Sequence, residues 1–124
     1  MAKRAIRRTS GPQAAEAPRV LEGGADDARA LDRIIHQPVR LAMVGALAVN
    51  DELSFADLKG LLEVSDGNLS VHARKLEEAG YVACTKGFVG RLPRSVYRLT
   101  TEGRACLERY LAHMEAVIGA VRGT

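Results

Sequence analysis

The stretch from Ser65 to Gly80 specifies a helix at both of its ends, and that constrains the chain more than any other feature. The Ser65 hydroxyl can take up an unpaired backbone N–H at the start, and Val64 is placed to staple onto Leu69. Gly80 supplies a left-handed stop, with Tyr81 positioned to contact Leu76. Between these signals Leu69, Ala73 and Leu76 recur at i, i+4 and i+7, so one face is apolar and has to be buried. His72 flanks that stripe, while Asn68, Ser70, Val71, Arg74 and Lys75 lie off it.

The neighbouring segments carry signals of the same kind. Ser54 and Asp57 form the pattern of a capping box, and Leu53 can staple onto Leu58, which predicts a short helix from Phe55 to Leu61-Leu62. Two helices joined by a few residues are the sequence form of a helix-turn-helix. Upstream, Leu31, Ile34 and Ile35 recur at helical spacing. Pro38 then suits the first turn of a segment carrying Leu41, Val44 and Leu47, which predicts the first helix. Downstream, Tyr81, Val82, Cys84, Thr85 and Phe88, then Ser95, Val96, Tyr97 and Leu99, predict a hairpin. Its connection, Val89 to Arg94, reads as too long for a tight turn and puts Arg91 and Arg94 at the tip. Thr100 and Glu102 open a final helix over about 101–121. Along it Leu107, Leu111, Met114, Ile118 and Val121 follow coiled-coil spacing, widened by Tyr110 and Val117. The expected fold class is mainly α with a small β-hairpin.

With 124 residues, no Trp, two Phe and three Tyr, the chain suits one domain with an aliphatic core. Residues 1–28, rich in Ala, Gly, Pro and Arg, read as a disordered basic arm, leaving 29–124 as the domain. No apolar run approaches the roughly 20 residues of a membrane helix, and the start lacks a secretory pattern, so a cytoplasmic location is expected. Cys84 and Cys106 fit no metal-binding or disulfide framework and read as small buried hydrophobes. His36 and His113 have no partner at ligand spacing, so no metal and no cofactor is expected. No phosphate-cradling glycine loop, nucleophile elbow or metalloprotease motif occurs, and an enzyme is not expected.

Charge is distributed unevenly although the net is only +3. Residues 21–65 hold four basic against eight acidic side chains, whereas residues 66–98 hold six basic (Arg74, Lys75, Lys86, Arg91, Arg94, Arg98) against three acidic. Positive charge concentrates where the capped helix and the hairpin lie, as a surface meeting a polyanion requires. A helix of 13 residues is roughly 20 Å long, and its N-terminal half can enter a major groove about 12 Å wide when its outward side chains are small or hydrogen-bonding. Asn68, Ser70, Val71 and Arg74 offer an amide, a hydroxyl, an apolar patch and a bidentate donor, and Lys75 can reach a phosphate. Asp66, in the first turn, would repel one.

The order of elements, the run Ser65 to Val82 and the segment Arg91 to Thr100 together resemble the winged-helix transcriptional regulators of the MarR and ArsR type. The likeness covers roughly Leu31 to Val121. It implies a recognition helix at about 66–78 in the major groove of double-stranded DNA. It also implies a wing at about 86–95 on the backbone or minor groove, with Lys86, Arg91 and Arg94 in contact and Arg98 nearby. The cysteine-rich metal sequence of some ArsR-type sensors is absent. Regulators of this type commonly dimerise through the last helix, which implies a homodimer joined by Leu107, Tyr110, Leu111, Met114, Val117, Ile118 and Val121. A repressor is the expected role, and the resemblance leaves room for a small-molecule effector. Two other readings stay open: a winged-helix protein-docking module, and thiol redox sensing through Cys84 or Cys106.

Overall fold

The computed structural model describes residues 32–123. The predicted N-terminal arm and Leu31 lie outside the described residues. In chain order the elements are α1 (Pro38–Ala48), β1 (Leu53–Ser54), α2 (Phe55–Leu62), α3 (Asp66–Glu78), β2 (Val82–Val89), β3 (Leu92–Leu99) and α4 (Thr101–Val121). Among the described residues the fold is four helices and a three-stranded antiparallel sheet of order β1-β3-β2, with β2 and β3 forming a hairpin.

Local chemistry accounts for the helix ends. Ser54 and Asp57 form the reciprocal capping box, with Asp57 N–H donating to Ser54 Oγ at 3.0 Å and Ser54 N–H donating to Asp57 Oδ2 at 3.0 Å. Ser65 Oγ accepts from Asn68 N–H at 3.1 Å. At the other end of α3, Gly80 has φ of 83°, Gly80 N–H donates to the Glu77 carbonyl and Tyr81 N–H to the Leu76 carbonyl, a Schellman stop. α2 stops differently: Glu63 itself adopts the left-handed conformation, φ 54°, and so turns the chain toward α3.

Two sequence expectations are corrected and one element is added. Residues 33–37, where Ile34 and Ile35 sat at helical spacing, form turns instead, and among the described residues the first helix begins at Pro38 as expected. The residue before a proline is forced out of the helical region, and Gln37 is accordingly extended, φ −146°, with its side chain capping Arg40 N–H at 2.8 Å. The connection between the strands is a tight two-residue turn, Gly90-Arg91, because the strands continue to the pair Val89 and Leu92. Gly90, with φ of 64°, fits the glycine-first turn that matches strand twist. Arg91 stays at the tip, whereas Arg94 moves into β3 opposite Gly87. Finally, Leu53 and Ser54 also form a strand, pairing with Tyr97 and Val96.

The core joins every layer: Ile35, Met43, Val44 and Leu47, then Leu58, then Leu69, Ala73 and Leu76 of α3, Val82 and Tyr97 of the sheet, and Cys106, Leu107 and Tyr110 of α4. The predicted apolar stripe of α3 is thus the anchored face. α4 is fastened to the end of α3 by Thr100, whose N–H donates to the Tyr81 carbonyl at 3.1 Å and whose hydroxyl donates to the Gly80 carbonyl at 2.7 Å. Gly103 makes that approach feasible, since a Cβ there would lie 2.1 Å from the Tyr81 carbonyl oxygen.

Candidate nucleic-acid interface

With Leu69, Ala73 and Leu76 turned inward, the helix period leaves Asn68, Ser70, Val71, Arg74 and Lys75 exposed. Among the described residues neither Arg74 nor Lys75 is ion-paired with Glu77 or Glu78. Asp66, the acid that would repel a phosphate, is paired with Lys59 of α2 at 2.9 Å. The pair crosses the turn between the two helices and offsets the negative charge at the N-terminus of α3. Lys59 is a contributor that sequence reasoning missed.

His72 is half-buried, and its Nδ1 accepts from an Arg40 guanidinium nitrogen at 3.2 Å, since arginine can only donate. Burial, then the charges of Arg40 and Lys75, hold its imidazole below the ordinary histidine value. His72 is therefore a neutral tether between α1 and α3.

The ribbon supplies the second group of charges. Lys86, Arg91, Arg94 and Arg98 are all exposed. Arg94 adds to the pull on Asp57, whose carboxyl lies below its ordinary value chiefly through the Ser54 N–H and hydroxyl. Arg98 donates to the Thr85 hydroxyl at 3.2 Å. Between α3 and the ribbon lies an open cleft of about 350 Å³ whose polar lining is Ser70, Arg74 and Glu77 on one side and Lys86 and Ser95 on the other, completed by Phe55, Ala73 and Tyr97. The structure thus brings Ser70, Arg74 and Lys86 to one cleft, while Asn68, Val71, Lys75, Arg91 and Arg94 lie outside its lining. Ser95 was not singled out from the sequence. Strand alternation from the apolar Tyr97 would have put it on the same side of the ribbon.

The candidate dimer seam of α4 divides. Leu107 and Tyr110 are buried in the chain's own core, and Met114 packs against it. Val117 is half-buried, while Leu111, Ile118 and Val121 are exposed. His113 is buried on the same helix, and its Nδ1 has no hydrogen-bond partner among the described residues. Cys106 is buried next to Tyr81, and burial pushes its thiol up. The Tyr81 hydroxyl is likewise pushed up by burial and by donation to Asp32.

Among the described residues no helix is long and apolar enough to cross a membrane. Residues 39–118 match the family model for a winged helix DNA-binding domain. A transcriptional regulator homologue from Pyrococcus horikoshii superimposes with a TM-score of 0.70 at 30% identity, covering 76% of this chain and 94% of that one. PadR of Bacillus subtilis, solved in complex with operator DNA, gives 0.56 at 21% identity over 60% of this chain and 48% of that one. A MarR-family regulator from Silicibacter pomeroyi gives 0.54 at 22% identity over 77% of this chain and 65% of that one. The last two share the fold. On the match over residues 39–118, and with the Pyrococcus homologue alongside it, the chain belongs to the winged helix DNA-binding domain family of transcriptional regulators.

Proposed function

We propose that this chain binds double-stranded DNA sequence-specifically as a homodimer and represses transcription by occupying its site. The observation that carries the reading is the coincidence of two cation groups around one cleft: Arg74 on the exposed face of α3 and Lys86 on the ribbon, with Ser70 and Ser95 hydroxyls beside them. With α3 in the major groove and the ribbon over the adjacent minor groove, the sugar-phosphate ridge between the two grooves runs through that cleft. Lys86 and Ser95 on the ribbon side then meet phosphates, while Ser70 and Arg74 on the α3 side reach the base edges beside them. Asn68 and Val71, further out on α3, face base edges, where an amide suits adenine and an apolar group the thymine methyl. PadR, which shares the fold, meets operator DNA.

The homodimer reading rests on the distal half of α4. Leu111, Ile118 and Val121 are exposed at coiled-coil spacing, which suits a second copy of the same helix. Two-fold symmetry would set the recognition helices about 34 Å apart, one turn of DNA. Thiol sensing through Cys106 is disfavoured, because its thiol is buried and held in the protonated, unreactive form.

Selection of bound duplexes from a random library tests the reading. The expected product is an inverted repeat with half-sites about one turn apart. Recovery of no enriched sequence contradicts sequence-specific binding, and recovery of a single unrepeated half-site contradicts the dimer.

A further inference from the structure

We propose that the tip of the β2–β3 ribbon is an apolar wedge that enters the minor groove of the bound duplex, opens it and bends the DNA; this rests on the DNA-binding reading above. β1 pairs with β3 only at Val96 and Tyr97, and the ribbon runs on for about four residues, roughly 13 Å, with Val89 and its Leu92–Ser95 edge facing Ser54, Phe55 and Ala56 across an open cleft. At its end stand Phe88, 74% exposed, Leu92, 72%, and Val89, 55%. Exposed side chains of this size, clustered at one end of an element, mark a contact surface.

The register says what kind of surface. Phe88 pairs with Pro93 and Val89 with Leu92, so the two apolar pairs lie on opposite faces of the ribbon. Two residues nearer the base, Lys86 lies on the Phe88 face and Arg94 on the Leu92 face, while Arg91 occupies the turn itself. Each face therefore carries apolar surface toward the end and a cation behind it. A protein docked on one face would leave the other wet. A slot with two anionic rims covers both faces and meets both cations, and that is the form of a minor groove.

The groove is only about 6 Å wide, narrower than a two-stranded ribbon with its side chains, so entry requires widening. Apolar side chains that press into base steps from the minor groove kink the duplex toward the major groove. The bend favours the flexible TA and CA/TG steps at the positions under the wing.

The test uses the full-length chain and a short duplex carrying the selected site, with binding and end-to-end distance both read by fluorescence across a salt series. The double variant Phe88→Ala, Leu92→Ala is expected to bind about ten- to hundredfold more weakly. It should also bend the duplex less and keep the wild-type slope of log K against log salt, because no phosphate contact is lost. Arg91→Ala is expected to lower that slope by about one unit while retaining the bend. Both sites are exposed, and matched circular dichroism and thermal unfolding exclude a folding defect as the cause. A double variant that binds and bends DNA as the wild type does overturns the wedge and leaves the DNA-binding reading standing. A double variant that dissociates a wild-type dimer also overturns it, because the tip is then a surface between copies of the chain. A wild-type chain that binds no duplex overturns both readings.

Discussion

α3 and the β2–β3 ribbon both face outward, yet they are held in opposite ways. α3 is pinned by three buried side chains, a serine cap and a Schellman stop, and its outward groups stand on an element that has little freedom to move. Among the described residues the ribbon beyond Val96 has no third strand beside it, and from Thr85 to Arg94 every residue is exposed. A rigid rod suits hydrogen-bond readout, in which an amide or guanidinium has to meet a base edge within a few tenths of an ångström. A free ribbon suits contacts that tolerate displacement, namely phosphate charges and apolar pressure on a groove.

The same substitution made in each region breaks the comparison if it is wrong. Leu76→Ala, in the anchored face, is expected to destabilise the fold by about 2–5 kcal/mol, read by urea unfolding. A loss under about 1 kcal/mol would mean that the core does not hold α3. Gly103→Ala tests the clamp between α4 and the end of α3. The new Cβ would fall 2.1 Å from the Tyr81 carbonyl oxygen, and a loss of about 1–3 kcal/mol or more is expected. An unchanged melting temperature would show that the two elements can separate freely.

The pH dependence of stability sharpens the picture of α3. Burial, Arg40 and Lys75 hold the His72 imidazole below its ordinary value, so the unfolded chain takes up this proton at higher pH than the folded chain does. The resulting stabilisation is complete above the ordinary value of about 6.5 and is lost as pH falls through the folded value. Between pH 7.5 and 5.5 the wild type is expected to lose more stability than His72→Gln. Equal losses would remove the histidine from the linkage. The smallest effect belongs to the ribbon: Leu92→Ala, at an exposed site, is expected to change stability by no more than about 0.5 kcal/mol. A larger loss would mean that the tip is packed against the body.

Features of the fold that arise from local chemistry were legible in the sequence. The caps at Ser54, Ser65 and Thr100 and the stop at Gly80 depend on residues a few positions apart, and the period of Leu69, Ala73 and Leu76 marked the buried face directly. Features set by distant partners were not. Leu53-Ser54 is a strand only because Tyr97 and Val96 lie beside it. The Lys59–Asp66 pair crosses a turn, and nothing in either helix alone announces it. The heptad spacing of α4 is the same whether the stripe packs on its own chain or on another, so the sequence could not divide Leu107 and Tyr110 from Ile118 and Val121. At the wing, the run Val89 to Arg94 reads as a connection too long for a tight turn. In the actual register Phe88 and Pro93 form a non-hydrogen-bonded pair, so the proline leaves no gap in the ladder to β2.

The central claim is that the outward face of α3 reads DNA, and the affinity of its variants for the selected duplex and for an unrelated duplex, at one salt concentration, tests it most directly. Asn68→Ala and Arg74→Ala are each predicted to lower affinity for the selected site by about 1–3 kcal/mol while changing affinity for the unrelated duplex much less, so that discrimination collapses. If both variants discriminate as the wild type does, the face of α3 is not the reading surface.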